Sequence, residues 1–404
     1  MILKLAWRNI WRSKLRTFTV MGAIIVGVVA LVFYMGFMKG FVRTYVSNAI
    51  QNELSHLQIH NPAYPEDQEV QYYLSDVASL TQKIKQQPNV VAYTERTLVE
   101  AIALSARGSR GLQLRGIVPE QEAVVTKLNE KITQGVYFSE SKYKNPVLIS
   151  ERLAEILKLK VKSKLVVQFQ TVEGDIKLQT YKIAGLYKTS NKQFDEQNIF
   201  VPQSKIALSQ TGEPIVHEIA ILLKDADKLV ETQTVLQNTV SDSSRYLVET
   251  YLEVSPDVAL YETQMTASSS IVIFIVMIAL IFGIINTMLM AVLERTKEFG
   301  MLLAVGMKRK QVFLMIITEA IMMALVATPV AMLVGAALLG YLGSVGIQMA
   351  ALEQVGISEP IYPTIDWLSF LIIGVSVAFT TFFAALYPAR KATKLQPVEA
   401  LNSL

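Results

Sequence analysis

The stretch ERTKEFGMLLAVGMKRKQ, residues 294–311, separates two long apolar runs. The run before it, IVIFIVMIALIFGIINTMLMAVL, covers residues 271–293, and the run after it covers 312–345. About 20 apolar residues are enough to cross a bilayer core as a helix. The quoted stretch carries five basic and two acidic residues. Because basic residues are enriched in short cytoplasmic loops, we expect a cytoplasmic segment between two membrane spans.

Two further apolar runs bring the number of expected spans to four. They cover residues 17–38 and 367–388, and neither contains Asp, Glu, Lys or Arg. The run at 17–38 is long for the apolar part of a signal peptide, so we interpret it as a retained first span. Hydrophobic residues make up 51% of the 404-residue chain. The chain has no cysteine, which excludes disulfide bonds and thiolate metal sites.

The long stretch between the first two spans predicts a soluble α+β domain over residues 57–255. Strand–helix–strand patterns occupy its two ends, at about 57–118 and 215–252. A β-rich part lies between them, at about 145–212. This arrangement predicts one domain that is interrupted by a second, smaller one.

The flanks of the spans predict which parts of the chain lie outside. Helix-prone segments at 39–56 and 256–270 are expected to form stalk helices between the spans and the domain. The loop at 346–366 contains acidic but no basic residues, whereas the tail at 389–404 has a basic excess. The positive-inside rule therefore predicts that both termini are cytoplasmic and that the domain lies outside.

Residues 1–16, MILKLAWRNIWRSKLR, predict a basic amphipathic helix at the membrane surface. Its candidate contact residues are Trp7, Arg8, Asn9 and Arg12. A simple positively charged anchor and a helix that also contacts a cytoplasmic partner are both open interpretations of this segment.

Motifs for catalysis and for cofactor binding are missing from the sequence. There is no GxxxxGK[ST] phosphate-binding loop and no HExxH zinc motif. The three histidines, His56, His60 and His217, are expected to have structural roles rather than to bind metal. Residues 45–262 hold 23 basic and 27 acidic residues, so the domain offers no basic excess for nucleic acid. We expect no catalytic residue, no bound cofactor and no metal in this chain.

One ionisable residue, Glu319, falls inside the third expected span. Such a residue is costly in a membrane and usually faces a bundle interior or a cavity. A proton or substrate site is one interpretation. A carboxyl group near the cytoplasmic end, hydrogen-bonded within the bundle, is the interpretation that we favour, because Glu319 lies only a few residues after Lys310.

Three motifs together resemble FtsX-like ABC transporter permeases of the MacB and LolC/LolE type. The middle motif comprises Glu294-Arg295, Glu298-Phe299-Gly300 and Val305-Gly306, directly after the second span. The others are LAWRNIWRSKLRT at 5–17 and YPARKATKLQPVEAL at 387–401. Since the motifs lie at both ends and in the middle, the resemblance covers the whole chain.

The resemblance implies an α+β membrane protein with four transmembrane helices. Between the first two spans it implies a large periplasmic domain, a porter-like fold interrupted by a β-rich subdomain. Residues 294–311 would be a cytoplasmic coupling helix that contacts a separate ABC ATPase subunit, present in two copies, which binds ATP and Mg. The residues that the resemblance assigns to ATPase coupling are Glu294, Arg295, Glu298, Phe299, Gly300, Gly306 and Lys308.

The implied function is mechanotransmission in the inner membrane of a bacterium with two membranes. ATP hydrolysis in the partner would move the periplasmic domains of a permease dimer, built with an identical or a homologous second subunit. Release of lipoproteins from the inner membrane is our first expectation. The alternatives are MacB-like efflux of peptides or small amphiphiles with an adaptor and an outer-membrane channel, and FtsX-like regulation of an envelope hydrolase.

Overall fold

The computed structural model describes residues 7–8, 11, 14–209, 214–240, 245–349 and 359–394. The chain forms two compact units. The first, here called the helical bundle, comprises Met1–Arg43, Thr263–Ile347 and Pro360–Leu404. The second, here called the α+β domain, comprises Thr44–Glu262 and Gln348–Glu359.

The helices and strands alternate irregularly along the chain, with short 3₁₀ turns between some of them. In chain order they are α1 Lys14–Ala49, a π-helical turn Ile50–Leu54, β1 Leu57–His60, α2 Val77–Lys85, β2 Val90–Ser105, β3 Gly108–Ile117, α3 Pro119–Val125, β4 Ile132–Gly135, β5 Pro146–Ser150, α4 Glu151–Leu157, β6 Lys164–Gln170, β7 Ile176–Tyr187, α5 Lys192–Gln197, β8 Asn198–Pro202, β9 Glu218–Leu223, α6 Leu229–Val240, β10 Leu247–Thr250, α7 Tyr251–Val254, α8 Pro256–Glu294, α9 Thr296–Ala304, α10 Arg309–Val345 and α11 Trp367–Thr393.

Four helices, α1, α8, α10 and α11, are long and apolar enough to cross a membrane. Their most apolar windows have mean hydropathies of 2.5, 2.8, 2.2 and 2.1. The prediction of four spans from the four apolar runs is therefore confirmed by the length and composition of these helices. Helix α1 extends well beyond the apolar run at 17–38, and α8 begins before the run at 271–293.

Small residues bring the helices of the bundle close together. A Cβ atom on Gly27 would lie 2.5 Å from a side-chain atom of Leu280, and one on Gly335 would lie 2.7 Å from Val32. Without a hydrophobic driving force inside a bilayer, such close packing supplies much of the attraction between helices. The buried centre of the bundle is otherwise apolar and includes Ile24.

The segment before α11 lies against α1. The backbone N–H of Thr364 donates to the carbonyl of Gly36 at 3.0 Å, and Asp366 forms an ion pair with Lys39. These contacts fix the start of the last spanning helix.

A ten-stranded sheet organises the α+β domain. Its order is β10-β1-β9-β2-β3-β8-β5-β7-β4, and β6 pairs with β2 and β7. The long strand β2 changes its pairing partner along its length. Its first part pairs with β9, and its second part, Ala101 to Leu104, pairs with β6. The two parts of the domain therefore share one continuous sheet.

Separate apolar cores stabilise the two parts of this sheet. Helices α2 and α6 cover one face of β1, β9 and β10, where they bury Ile59, Ile221 and Leu236. The other part buries Val167, Ile183 and further side chains of β5 to β8. Alternation of apolar and polar residues along these strands directs one set of side chains into each core.

Candidate functional site

The segment that follows α8 consists of a short helix between two breaks. Arg295 has φ −99° and ψ 17°, so it interrupts the helical conformation after Glu294. Helix α9 then covers Thr296–Ala304, and Gly306 adopts φ +100° before α10 begins. A positive φ favours glycine because other side chains are strained there. The helix expected over 294–311 is therefore shorter, since these two positions leave the helical conformation.

The guanidinium group of Arg295 connects α9 to α10. Its Nε donates to Glu298 Oε2 at 2.9 Å, and its Nη1 lies 3.2 Å from both carboxylate oxygens of Glu319. It also lies 5.2 Å from the ring centroid of Phe299, within the range of a cation–π contact. The side chains of Arg295 and Glu319 are each 13% exposed. Glu319 is therefore hydrogen-bonded within the bundle, which agrees with the interpretation favoured from the sequence.

The predicted coupling residues separate into an inner and an outer group. Phe299 and Gly300 are buried, and Glu298 is half-buried beside Arg295. Glu294, Gly306 and Lys308 are exposed. The inner group fixes α9 to the bundle, and the outer group is accessible to another molecule.

Two apolar residues at the outer surface extend the set of coupling residues: Met301, and Val305, which belongs to the middle motif. Met301 is 56% exposed and Val305 is 84% exposed, on the same side of the segment as Lys297. Residues four positions apart lie on one face of a helix, so the spacing of Lys297, Met301 and Val305 could have indicated this surface from the sequence. We call Lys297, Met301 and Val305 the outer face of α9. This face is therefore a candidate for contact with another molecule.

The amino-terminal candidates are only partly described. Trp7 and Arg8 are exposed, and the rings of Trp7 and Trp11 lie 6.0 Å apart in an edge-to-face arrangement. Asn9, Arg12 and the tail from residue 395 lie outside the described residues.

Inside the α+β domain, a lysine holds the end of the helical segment that continues α1. Lys131 Nζ donates to Asn52 Oδ1 at 2.6 Å and to the carbonyl of Gln51 at 3.2 Å. A cation at a helix carboxyl end complements the helix dipole. Burial lowers the pKa of Lys131 to about 8.

Two arginines from the sheet hold the neighbouring residue, Glu53. Arg96 Nη1 donates to the Glu53 carbonyl at 2.7 Å, and Arg115 Nη2 donates to the Glu53 carboxylate at 2.9 Å. Arg96 is buried and also pairs with Glu122 at 2.8 Å and with Glu218 at 2.6 Å. The basic residues Lys131, Arg96 and Arg115, here called the stalk clamp, thus anchor the turn Ile50–Leu54 to the sheet.

The histidines with described ring contacts are part of the protein's own hydrogen-bond network. His217 Nδ1 accepts from the backbone N–H of Leu98 at 3.2 Å, and its Nε2 donates to the carbonyl of Val70 at 3.0 Å. Burial lowers the pKa of His217 to about 4, so the ring is neutral at pH 7. His60 Nε2 lies 2.8 Å from Gln58 Oε1. His56 Nδ1 accepts from the backbone N–H of Leu223 at 3.2 Å, so all three histidine rings form hydrogen bonds within the protein.

Comparison with protein-family models matches both units of the chain. The MacB-like periplasmic core domain matches residues 17–239, and the FtsX-like permease C-terminal model matches residues 270–397. This chain belongs to the FtsX-like permeases with a MacB-like periplasmic core domain. The expected fold class, four transmembrane helices with a large periplasmic α+β domain, is therefore confirmed.

Curated relatives of this permease are longer proteins with an additional ATP-binding part in their names. The pyoverdine export ATP-binding/permease protein PvdT of Pseudomonas entomophila is 24% identical over 419 residues, which cover 99% of this chain and 59% of the relative. The macrolide export ATP-binding/permease protein MacB of Brucella abortus is 27% identical over 209 residues, 51% of this chain and 30% of the relative. The permease thus spans about three fifths of the length of PvdT.

A solved structure, the periplasmic region of MacB from Actinobacillus actinomycetemcomitans, is also similar to this permease. The match has a TM-score of 0.36 and 15% sequence identity, and it covers 51% of this chain and 93% of that structure.

Proposed function

We propose that this permease couples ATP hydrolysis in a separate ABC ATPase subunit to movement of its periplasmic domain. The proposal is carried by α9, which is fixed to α10 through Arg295 and Glu319 but exposes Met301 and Val305. A helix that is both exposed and firmly attached can receive a force from a partner and pass it on. ATP and Mg would be bound by the partner, in two copies, and the permease itself would bind no cofactor.

The proposed transmission uses the long helices that the two units share. A push on the outer face of α9 would reach α10 through the Arg295 ion pair and α8 through the short break at Arg295. Helices α1 and α8 each contain residues of both units. In the α+β domain, the stalk clamp would transfer movement of the Ile50–Leu54 turn directly to the sheet, because charged hydrogen bonds hold it in a fixed geometry.

Two cargo classes fit this mechanism. Release of lipoproteins from the inner membrane is the first, and it is the function expected from the sequence. Efflux of peptides or other small amphiphiles, with an adaptor and an outer-membrane channel, is supported equally well, because the relatives PvdT and MacB are named as exporters of pyoverdine and of macrolides. FtsX-like regulation of an envelope hydrolase is a third candidate.

The proposal also includes the placement and assembly of the permease. It would lie in the bacterial inner membrane as a dimer with an identical or homologous subunit, with both termini and α9 in the cytoplasm. The basic residues around α9 and in the tail support this orientation.

The absence of cysteine from the sequence makes a direct test of the partner possible. Val305→Cys places one thiol on the outer face of α9, and Val230→Cys places a control thiol on an exposed position of α6. A photoactivatable maleimide on each thiol would be activated in membranes from the native host. We expect Val305→Cys to crosslink to an ABC ATPase, identified by mass spectrometry, and Val230→Cys not to do so.

The same two variants test on which side of the inner membrane α9 and the α+β domain lie. An impermeant maleimide added to cells with a permeabilised outer membrane should label Val230→Cys and leave Val305→Cys unlabelled until the inner membrane is opened. Crosslinking of the ATPase to Val230→Cys, or early labelling of Val305→Cys, would contradict the proposal. Cargo is then identified by purification in native lipid: a bound lipoprotein supports the release function, and a bound adaptor supports efflux.

A further inference from the structure

A polar cavity of about 680 Å³ lies inside the α+β domain. Its walls come from the end of α1 with the following π-helical turn, from six strands of the sheet, from the segment at 64–68, from α5 and α7, and from the start of α8. The six strands are β1, β2, β3, β8, β9 and β10. Small-molecule sites in proteins typically have volumes of about 300–1,000 Å³. The cavity is therefore large enough for a small ligand.

The floor of the cavity is the polar face of the sheet. Along β1, Leu57 and Ile59 belong to the apolar core, while the alternating residues Gln58 and His60 line the cavity. Glu249 of β10 lies beside Gln58 in the register of the two strands. Burying polar groups costs free energy unless they find partners. Gln58 and His60 meet this need through a hydrogen bond of 2.8 Å to each other, so the sheet presents a polar floor to the cavity.

The charge on the lining is strongly negative. Of the five carboxylates on it, Glu53 pairs with Arg115 and Glu218 pairs with Arg96. Among the described residues of the lining, Arg115 is the single lysine or arginine, whereas the acidic residues are Glu53, Glu218, Glu249, Glu253 and Asp257.

The carboxylates of Glu249 and Asp257 have no basic partner within the part of the chain that the structure describes. There, neither forms an ion pair with a lysine or an arginine. Burial and the neighbouring Glu253 raise the pKa of Glu249. Glu249 is half-buried, and Asp257 is exposed in the first turn of α8. Carboxylates that line a cavity without a lysine or arginine partner favour a positively charged occupant.

An independent observation comes from Asn48 on α1. Its side chain is 7% exposed and lines the cavity, and its amide nitrogen has no hydrogen-bond partner among the described residues. A buried amide without a partner costs about 1–3 kcal/mol. A polar ligand in the cavity would supply the missing contact.

Aromatic rings complete the lining. Tyr45 and Tyr64 both border the cavity, and Tyr45 stacks on Tyr261 with ring centroids 4.5 Å apart. Aromatic faces attract ammonium groups through cation–π interactions. One face of each ring is already covered, because Tyr64 stacks on His60 with centroids 5.8 Å apart. The carboxylates are suited to an alkylammonium ion, whereas a phosphate or a carboxylate ligand would be repelled.

We propose that this cavity binds a cationic, amine-bearing small molecule, with the ammonium group at Glu249 and Asp257 and a polar group at Asn48. The proposal concerns ligand binding in the periplasmic domain alone. It holds whether or not α9 couples to an ATPase, so the two proposals fail separately.

The test uses the full chain, purified in an uncharged detergent, with dansylcadaverine as a fluorescent primary amine. We expect saturable binding that spermidine reverses and that N-acetylated dansylcadaverine, which carries no charge, does not reproduce. Glu249→Gln and Asp257→Asn should each weaken binding on the order of tenfold, corresponding to about 1.4 kcal/mol. Glu231→Gln, an exposed carboxylate of α6 outside the cavity, is the matched control and should bind normally.

Folding of each variant is checked by thermal unfolding and by its elution volume. Asp257 is exposed, so Asp257→Asn keeps the test valid if Glu249→Gln unfolds. Glu249→Lys should abolish binding, because a tethered ammonium would fill the site. Equal binding of the acetylated probe, or equal weakening by Glu231→Gln, would overturn the proposal, as would the absence of saturable binding to the folded chain.

Discussion

Nη1 of Arg295 lies 3.2 Å from both carboxylate oxygens of Glu319, although the two residues are 24 positions apart. Arg295 lies at the break between α8 and α9, and Glu319 lies within α10. Both side chains are only 13% exposed, so this ion pair offsets part of the free-energy cost of burying each charge. The pair therefore sets the position of α9 relative to the spanning helices.

Removing one partner of this pair should destabilise the bundle strongly. Arg295→Ala removes the ion pairs with Glu319 and Glu298, and we expect the free energy of unfolding to fall by about 1–3 kcal/mol. Unfolding of the purified protein in mixed detergent micelles with increasing dodecyl sulfate measures this change.

Simultaneous replacement of both charges is the control for that experiment. The variant Arg295→Met with Glu319→Leu removes both charges of the pair and changes only the half-buried Glu298 contact besides, so it should be more stable than Arg295→Ala alone. Arg295→Met and Glu319→Leu are also measured singly. If their changes in unfolding free energy add up to that of the double variant, the ion pair does not couple the two positions and our interpretation of the contact is wrong.

The outer face of α9 should affect activity without affecting stability. Val305 is 84% exposed, so Val305→Asp loses little burial and should change the unfolding free energy by less than about 0.5 kcal/mol. A buried charge in a protein interface costs far more, so we expect ATPase activity of the purified complex to fall about tenfold or more. Steady-state ATP hydrolysis measures the effect.

Val230→Asp is the matched control, because Val230 is also an exposed valine but lies on α6 of the periplasmic domain. It should leave ATP hydrolysis unchanged. Equal losses in both variants would show that the outer face of α9 has no special role.

Local patterns in the sequence predicted many secondary-structure elements. The strand–helix–strand patterns at 57–118 and 215–252 correspond to β1, α2, β2 and β3 and to β9, α6 and β10. The β-rich part at 145–212 contains β5 to β8. The periodicity of apolar residues over a short stretch, together with the residue types that favour turns, is enough to predict where such elements lie.

Pairings between distant parts of the chain could not be predicted in this way. Strand β8 pairs in parallel with β3 and antiparallel with β5, and nothing in its five residues specifies either partner. The six-residue helix α5 is too short for a periodic pattern.

The same limit applies to the candidate site and to packing in the bundle. The sequence singled out Arg295 and Glu319 separately, but only the fold brings them together. Gly335 and Gly340 both lie on α10, five positions apart. A Cβ atom on Gly335 would lie 2.7 Å from Val32, whereas one on Gly340 would have no described heavy atom within 4 Å. Which face of a helix meets a neighbour depends on tertiary structure.

Because of Lys131 in the stalk clamp, the free energy of unfolding should vary with pH in the alkaline range. The pKa of Lys131 is about 8 in the folded domain because of burial, whereas an unfolded lysine titrates near 10.4. Between these values the unfolded chain holds a proton that the folded chain has released, so stability rises with pH. Compared with Lys131→Met, the wild-type protein should gain about 1–3 kcal/mol between pH 8 and pH 10.4.

Urea unfolding at several pH values measures the unfolding free energies of the wild-type protein and of Lys131→Met. Their difference at each pH cancels the contribution of all other titrating groups. Lys144→Met, at an exposed position of the same domain, is the control and should show a constant difference from wild type. A constant difference for Lys131→Met as well would exclude a contribution from the buried amine.

Two glycines of α1 provide a matched pair for the packing of the bundle. A Cβ atom on Gly40 would lie 2.5 Å from the carbonyl oxygen of Tyr362 and 2.9 Å from the Cα of Pro363. Backbone atoms cannot rotate away as a side-chain end can, so Gly40→Ala should displace the segment before α11 and cost about 1–3 kcal/mol.

At Gly22, in contrast, no heavy atom of the described residues lies within 4 Å of the added Cβ position. Gly22→Ala should therefore be neutral or stabilise α1 by up to about 1 kcal/mol through helix propensity. Thermal unfolding of both variants in the same detergent measures the difference. Equal stabilities would mean that the segment before α11 yields freely, and that its contacts with Gly36 and Lys39 do not fix the start of the last span.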